Sequence, residues 1–543
     1  MKIKKINLAE PSKLTEDYIN GEASIQSFFN YDINDQECYQ KRLNHLNKLD
    51  YEREALADYL VQFNQKFQPH DKVLNNIERL KDPQAVVIVG GQQAGLLMGP
   101  LYTVHKCLSI IQLAQEQERA LNVPVIPVFW IAGEDHDYDE VNHVFAYQQE
   151  QKAVKKLPYK MPGAGMTSVS DIDMDPDQLE KWLEQVFQAY GETAYTKNLL
   201  EQVKSVAKTS RTLVDFFAGL IHQLFGKHGL VLLDSGDSRL RKLETNYFKA
   251  IIDHNQEIAS AVVTQLNELE ANGYHVQLDQ STDSVNLFIN NRNERVLLYH
   301  MEGEAYGNKA KSMITTKADL YEVAERHPEQ LSNNVVTRPL MQEMLLPTLA
   351  FIGGPGEIAY WSALSPAFHE LSLEMPPVLL RHRLIMVNRK TTQWIEQKGL
   401  DILAVLSKDF NREKTAWLDS QHEWDVEATF NTVKESVLTA YAPLSGLAKA
   451  VDSHLERLSN KNGHLVVKQL EYMKQAIERN IEQKHTVELS KFERVKASLF
   501  PNDSPQERVW SIYYFMNYLG DDIVERLLET SFPFEGRPYI VYL

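Results

Sequence analysis

Thiols are nearly missing from this chain. Cys38 and Cys107 are the two cysteines among 543 residues, too few for a disulfide framework and too far apart for a C-x-x-C zinc clamp. Zinc held by thiolates is therefore excluded, and Cys107, one residue after Lys106, reads as a small buried residue. Positive charge is also short: 57 Lys and Arg against 74 Asp and Glu leave a formal net charge of −17. A generalist nucleic-acid binder needs a net basic face, so no nucleic-acid partner is expected. No stretch reaches the roughly 18–20 apolar residues of a membrane span, and Met1 to Leu8 lacks the apolar core of a secretory signal. The expectation is a soluble, cytoplasmic protein. Also missing are G-x-S-x-G, H-E-x-x-H and the kinase signatures, so serine hydrolase, zincin and protein kinase chemistry are poorly supported.

What is present begins with Val86-Val87-Ile88-Val89 followed by Gly90-Gly91-Gln92-Gln93-Ala94-Gly95-Leu96-Leu97-Met98-Gly99-Pro100. The expectation is a glycine-rich turn where a strand hands over to a helix beginning near Tyr102. Glycines there let backbone approach a phosphate, and a helix start supplies unpaired N–H donors. The segment fits neither G-x-G-x-x-G nor G-x-x-x-x-G-K-[ST]. With the helix to Arg119 and the run Val125 to Ile131 it makes a β-α-β unit, and Leu230 to Asp234 supplies a third continuous apolar strand. Strands buried on both faces are parallel-sheet strands, giving an α/β, Rossmann-like doubly wound fold. Val378 to Leu380 reads as a last core strand.

The chain is too long for one core. A catalytic core over 1–384 is expected, interrupted near 150–200 and 270–330. The first interruption is rich in Pro and Gly and then helical over Leu179 to Tyr190. The second holds a hairpin signal, Val285 to Ile289 and Arg295 to Tyr299 about Asn290-Asn291-Arg292-Asn293. Beyond Asn388 strands give way to long helical patterns. A coiled-coil domain over 385–509 is expected, with two long helices joined near Asn462-Gly463 or one bent helix, suited to homodimerisation. The aromatic segment 510–543 should pack back on the core.

Three further clusters carry chemistry. Glu134-Asp135-His136-Asp137 follows the second strand, and ligands of open parallel sheets lie at strand carboxyl ends. These carboxylates could hold Mg²⁺ (Asp135 and Asp137 above all) or a substrate ammonium, and His136 could move a proton. Asn334, Arg338 and Glu343 lead into the loop Gly353-Gly354-Pro355-Gly356-Glu357; Arg338 offers a fork for a carboxylate or phosphate, unless it simply pairs with Glu343. Arg381 and Arg383, with Lys390, could reach triphosphate oxygens.

These segments, with Asn334-Val335-Val336-Thr337-Arg338-Pro339-Leu340 and Gly356-Glu357-Ile358-Ala359-Tyr360, resemble the bacillithiol biosynthesis cysteine-adding enzymes, the BshC family of cysteine ligases. The resemblance spans essentially the whole chain. That family looks like a distant relative of class I aminoacyl-tRNA synthetases, with a Rossmann-like core, two connecting insertions and a coiled coil. The resemblance implies ATP-dependent joining of L-cysteine to the amine of glucosaminyl malate through an activated carboxylate. H-I-G-H and K-M-S-K-S are absent, so adenylate and acyl phosphate both stay open. It implies ATP as cosubstrate with Mg²⁺, and no zinc. His136, Asp135 and Arg338 are the catalytic candidates. Gly91, Gln92, Gln93, Gly95, Gly99, Tyr102, Glu134, Asp137, Asn334, Gly354, Gly356, Glu357 and Arg381 are the candidates for binding substrate or nucleotide. A nucleotidyltransferase acting on another small acid and a non-catalytic nucleotide-binding scaffold are the competing readings.

Overall fold

The computed structural model describes all residues except 11, 136, 162–167, 292–293, 303–304 and 422–423. It divides into two compact units, one of residues 1–147, 155–389 and 506–543, the other of 148–154 and 390–505. No helix among the described residues is long and apolar enough to cross a membrane.

The first unit is built on five parallel strands: β1 (Val86–Gln92), β2 (Val125–Ile131), β3 (Val231–Asp234), β4 (Thr348–Gly353) and β5 (Val378–Leu380). Their order across the sheet is β5-β4-β1-β2-β3. The chain thus runs from β1 to one edge, then crosses back to build the other side. The order reverses between β1 and β4, and such a reversal opens a crevice at the strands' carboxyl ends. Helix α1 (Leu101–Leu121) makes the crossover from β1 to β2. Sequence reasoning misses β4, because Ala350 to Gly353 runs straight into the second glycine loop.

β1 continues past Val89. Gly90, Gly91 and Gln92 pair with Phe129, Trp130 and Ile131 of β2, so the first two glycines lie in a strand rather than in a turn. A Cβ on Gly90 would stand 2.8 Å from the Ile352 carbonyl oxygen, and one on Gly91 2.6 Å from that of Trp130. Neighbouring strands therefore require them. The turn proper is Gln93 to Gly99, where Leu97 and Met98 take left-handed φ of 49° and 65°. Such strain costs on the order of 1 kcal/mol per residue and persists only where the surroundings enforce it. Here both side chains are fully buried. Ser511 Oγ donates to the Leu97 carbonyl at 2.9 Å, and Leu101 N donates to that of Trp510 at 2.8 Å.

The segment after β2 contains the helix Pro176–Tyr190, started by Asp175 accepting from the amides of Asp177 and Gln178. The helices Thr196–Thr209 and Leu213–Phe225 follow. The segment after β3 forms a five-stranded sheet around the expected hairpin, Ser284–Asn291 against Glu294–His300, antiparallel. Val285, Leu287, Ile289 and Leu298 bury one face of it against Phe248, Ile251 and Ile252. A third sheet joins distant parts of the chain. Tyr539–Tyr542 runs parallel to Leu384–Val387 and antiparallel to Lys2–Lys5.

In the second unit the helices Val426–Val451 and Ser453–Lys484 form an antiparallel hairpin, as the pairs Glu427–Lys474, Tyr441–Ser459 and Lys449–Glu456 show. The turn is not at Asn462-Gly463. It falls at Asp452, which is extended (φ −162°, ψ 139°) and caps the next helix by accepting from His454 N at 2.7 Å. A glycine within a helix costs only about 1 kcal/mol, and Gly463 lies against the Tyr441 ring, so interhelical packing carries the helix through.

Candidate active site

A cavity of about 700 Å³ lies in the crevice at the carboxyl ends of β1, β2, β4 and β5, within the size range of small-ligand sites. It gathers Gly91, Gln92, Gln93, Tyr102, Asp135, Arg338, Gly354, Gly356, Glu357 and Arg381 from the sequence-level candidates. Five others among the described residues lie outside it. Gly95 packs on Gly99, its Cβ position 2.7 Å from the Gly99 Cα, so both glycines serve the turn and neither lines the cavity. Asn334 accepts from Val336 N and Thr337 N at 2.8 and 3.1 Å, and thereby starts the helix α2 (Thr337–Leu345). Asp137 is exposed and off the cavity wall. His136 lies outside the described residues.

Glu134, the fifth, is a correction of role. It is buried, and both its oxygens are taken: Arg338 Nε donates to Oε1 at 2.9 Å, while Arg241 Nη2 and Asn333 N (3.2 Å) donate to Oε2. Buried and off the cavity wall, Glu134 orients Arg338 and does not face the cavity. Burial alone would raise this carboxyl, but the charges of Arg241 and Arg338 outweigh it and hold the pKa at about 2. Arg338 does not pair with Glu343, which is bound by Arg42. Instead its Nη2 donates to Asp135 Oδ1 at 2.6 Å, and Arg295 Nη1 lies 3.5 Å from the same oxygen. Asp135, whose Oδ2 accepts from Gln93 Nε2 at 3.5 Å, lines the cavity. The acidic loop and Arg338 are thus one network, with Glu134 beneath and Asp135 on the wall.

Sequence reasoning does not single out Lys106 as a ligand-binding residue. It is 1% exposed, yet its Nζ reaches the cavity and donates to the Gly91 carbonyl at 2.5 Å and to Gln92 Oε1 at 3.1 Å. It also lies 2.6 Å from Glu357 Oε2. Burial pulls its ammonium below the usual lysine range, against the opposing pull of Glu357. A signal for it exists: Tyr102 and Lys106 stand four residues apart, hence on one face of α1. Glu357 in turn accepts from Gly354 N at 2.7 Å, closing the start of the helix α3 (Pro355–Trp361).

Two more cations border the cavity, Arg381, expected from the sequence, and Arg508, which is not. Arg381, just after β5, is held by Glu507 through two bonds of 2.6 and 2.8 Å, and the Glu507 carboxyl is kept well below its ordinary range against the penalty of burial. Glu507 belongs to a short turn, Gln506–Arg508, pinned where Gln506 exchanges hydrogen bonds of 2.8 and 2.9 Å with the Met386 backbone. The next residue, Arg508, is exposed on the cavity wall. Arg383, expected on a triphosphate, pairs with Glu10. Tyr360, Trp130 and Trp361 complete an aromatic wall. Such a site can hold a polyanion over buried cations and keep a flat ring system beside it.

Comparison with known proteins matches two family models. One, described as "Bacillithiol biosynthesis BshC, N-terminal Rossmann-like domain", covers residues 1–382; the other, "Bacillithiol biosynthesis BshC, C-terminal coiled-coil domain", covers 384–543. A curated protein of Geobacillus thermodenitrificans is 43% identical over 544 residues, the full length of both chains. One from Bacillus cereus is 37% identical over 543 residues, again end to end. Both carry the name "Putative cysteine ligase BshC".

Proposed function

Since the chain belongs to the BshC family of bacillithiol biosynthesis, we propose that it is an ATP-dependent ligase joining the carboxyl of L-cysteine to the amine of glucosaminyl malate. The observation that carries this reading is the crevice at the strand-order reversal, with the buried Lys106 ammonium at its base and Arg381 on its wall. A free carboxylate is a poor acceptor for an amine. Its oxygen must first attack a phosphorus of ATP, displacing pyrophosphate or ADP. The amine nitrogen then attacks the carbonyl carbon, AMP or phosphate leaves, and the amine gives up a proton.

In this scheme Lys106 and Arg381 stabilise the negative charge that develops on phosphate oxygens, since donors fixed in a dry site cost no reorganisation. Asp135, oriented by Arg338, faces the cysteine ammonium. Glu357, on the cavity wall, stands ready to accept the amine proton. Arg508 and Lys156, at the exposed edge of the cavity, receive the carboxylates of the acceptor. Mg²⁺ would shield the phosphate charge. Among the described residues no three His, Cys, Asp or Glu side chains are grouped to hold a metal, so the ion would rest mainly on phosphate and water oxygens, as Mg²⁺ commonly does. Exposed Leu444, Leu447, Val451 and Leu458 on the helical hairpin support dimerisation through that unit.

Incubating purified protein with ATP, Mg²⁺, cysteine and glucosaminyl malate should yield bacillithiol by mass spectrometry, together with either AMP or ADP. Turnover of ATP with another acid, and none with cysteine, would instead favour the nucleotidyltransferase reading.

A further inference from the structure

Asp234 ends β3 deep in the unit, 4% exposed, and belongs to no part of the cavity wall. Its carboxylate accepts from Ser170 Oγ at 3.1 and 2.8 Å and from Gly236 N at 2.9 Å. Ser170 sits in a tight turn that grips the acidic loop by its backbone. Ser168 Oγ and Ser170 N both donate to the Gly133 carbonyl, at 2.6 and 3.0 Å, and Val169 N donates to that of Asp135 at 2.9 Å. The grip leaves no space. A Cβ on Gly133 would stand 2.0 Å from Ser170 Oγ and 2.2 Å from Asp234 Oδ1, and one on Gly236 2.2 Å from Ser170 Oγ. Two glycines that carry no ligand are thereby explained.

We propose that Ser170 and Asp234 are positioning residues, a latch by which the segment following β2 fixes the Gly133–Asp135 backbone and so aims the Asp135 carboxylate into the cavity. The role rests on the ligase reading of that cavity. Asp135 has one oxygen on Arg338 and the other toward Gln93, so a small shift of its backbone breaks both contacts. Misplacing a catalytic group by about 1 Å can cost about 10²-fold in rate. The groups facing the Asp234 carboxyl are Ser170, Gly236 N, Asp237 and Arg241, with Tyr59 hydroxyl on its backbone. Burial dominates among them and raises the carboxyl to about 7, while the Ser170 bond works to lower it. The latch therefore changes protonation across neutral pH.

The test compares wild type with Ser170→Ala and Asp234→Asn. In Ser170→Ala, kcat/KM should fall about tenfold, the size expected for losing one hydrogen bond to a charged group. The acidic limb of its pH profile should move to higher pH, because a lowering contact is gone. Asp234→Asn should abolish that limb. A second arm needs no substrate: amide exchange in peptides covering Ala132–Asp135 and Ser168–Ile172 should quicken about tenfold in Ser170→Ala, with β5 unchanged. Wild-type pH profiles and unaltered exchange in both Ser170→Ala and Asp234→Asn would overturn the latch. Quickened exchange in a protein whose wild type makes no bacillithiol would keep the latch and overturn the ligase reading.

Discussion

Lys106 shows how much one side chain decides. A lysine buried to 1% exposure loses its hydration, and the Gly91 carbonyl, Gln92 and Glu357 replace it. Lys106→Met keeps most of the stem and removes the charge. It should lower kcat/KM by about 10²–10³-fold, the cost of losing a donor aimed at developing charge, read by steady-state kinetics on protein whose circular dichroism is unchanged. Glu134 differs in being buried and off the cavity wall. Glu134→Gln leaves Arg241 and Arg338 facing a neutral amide in a buried place, and should destabilise the fold by about 3–5 kcal/mol in urea titration. Its pH signature has a definite sign. The folded carboxyl titrates at about 2 against roughly 4.3 in the unfolded chain, so its contribution is complete above ~4.3 and lost as pH falls through about 2. Stability measured over that window should fall more steeply in wild type than in Glu134→Gln.

Among elements, β1 and α3 separate two uses of glycine that look alike in sequence. Gly91 is pressed against the Trp130 carbonyl, whereas a Cβ on Gly356 meets nothing within 4 Å. Gly91→Ala should cost about 1–3 kcal/mol through overpacking. Gly356→Ala, inside α3, should be neutral or stabilise by about 0.5–1 kcal/mol. Thermal melts of the two variants check both. This contrast also marks where the sequence is legible. Continuous apolar runs reveal β1, β2, β3 and β5, and the Asn-rich hairpin is visible from its flanking alternation. β4 is lost because its apolar residues end in the same glycines that begin the loop. The turn at Asp452 is lost because Asn-Gly is a strand-hairpin signal that helix packing overrides. At the site, clustered motifs point to Asp135, Arg338 and Glu357. Glu507 and Arg508 carry no local signal, since only the fold brings them beside Arg381.

On the scale of the molecule, the helical hairpin leaves Leu444 57%, Leu447 62% and Leu458 60% exposed. Isolated exposed leucines are ordinary, but several on one helical hairpin are consistent with the proposed self-association. For the proposed dimer, replacing Leu447 and Leu458 with Glu should shift sedimentation from the two-chain to the one-chain mass, and leave the melting temperature of the first unit within about 2 °C.

The chain leaves the first unit at Arg389 and re-enters it at Gln506. Order of synthesis therefore acquires a meaning. The residues of β1 to β5 are all made before the helical unit, whereas Glu507, the bonding partner of Arg381, the strand Tyr539–Tyr542 that pairs with Leu384–Val387, and Arg508 are made after it. The wall of the crevice around Arg381 can therefore be completed only once the last segment of the chain has been synthesised.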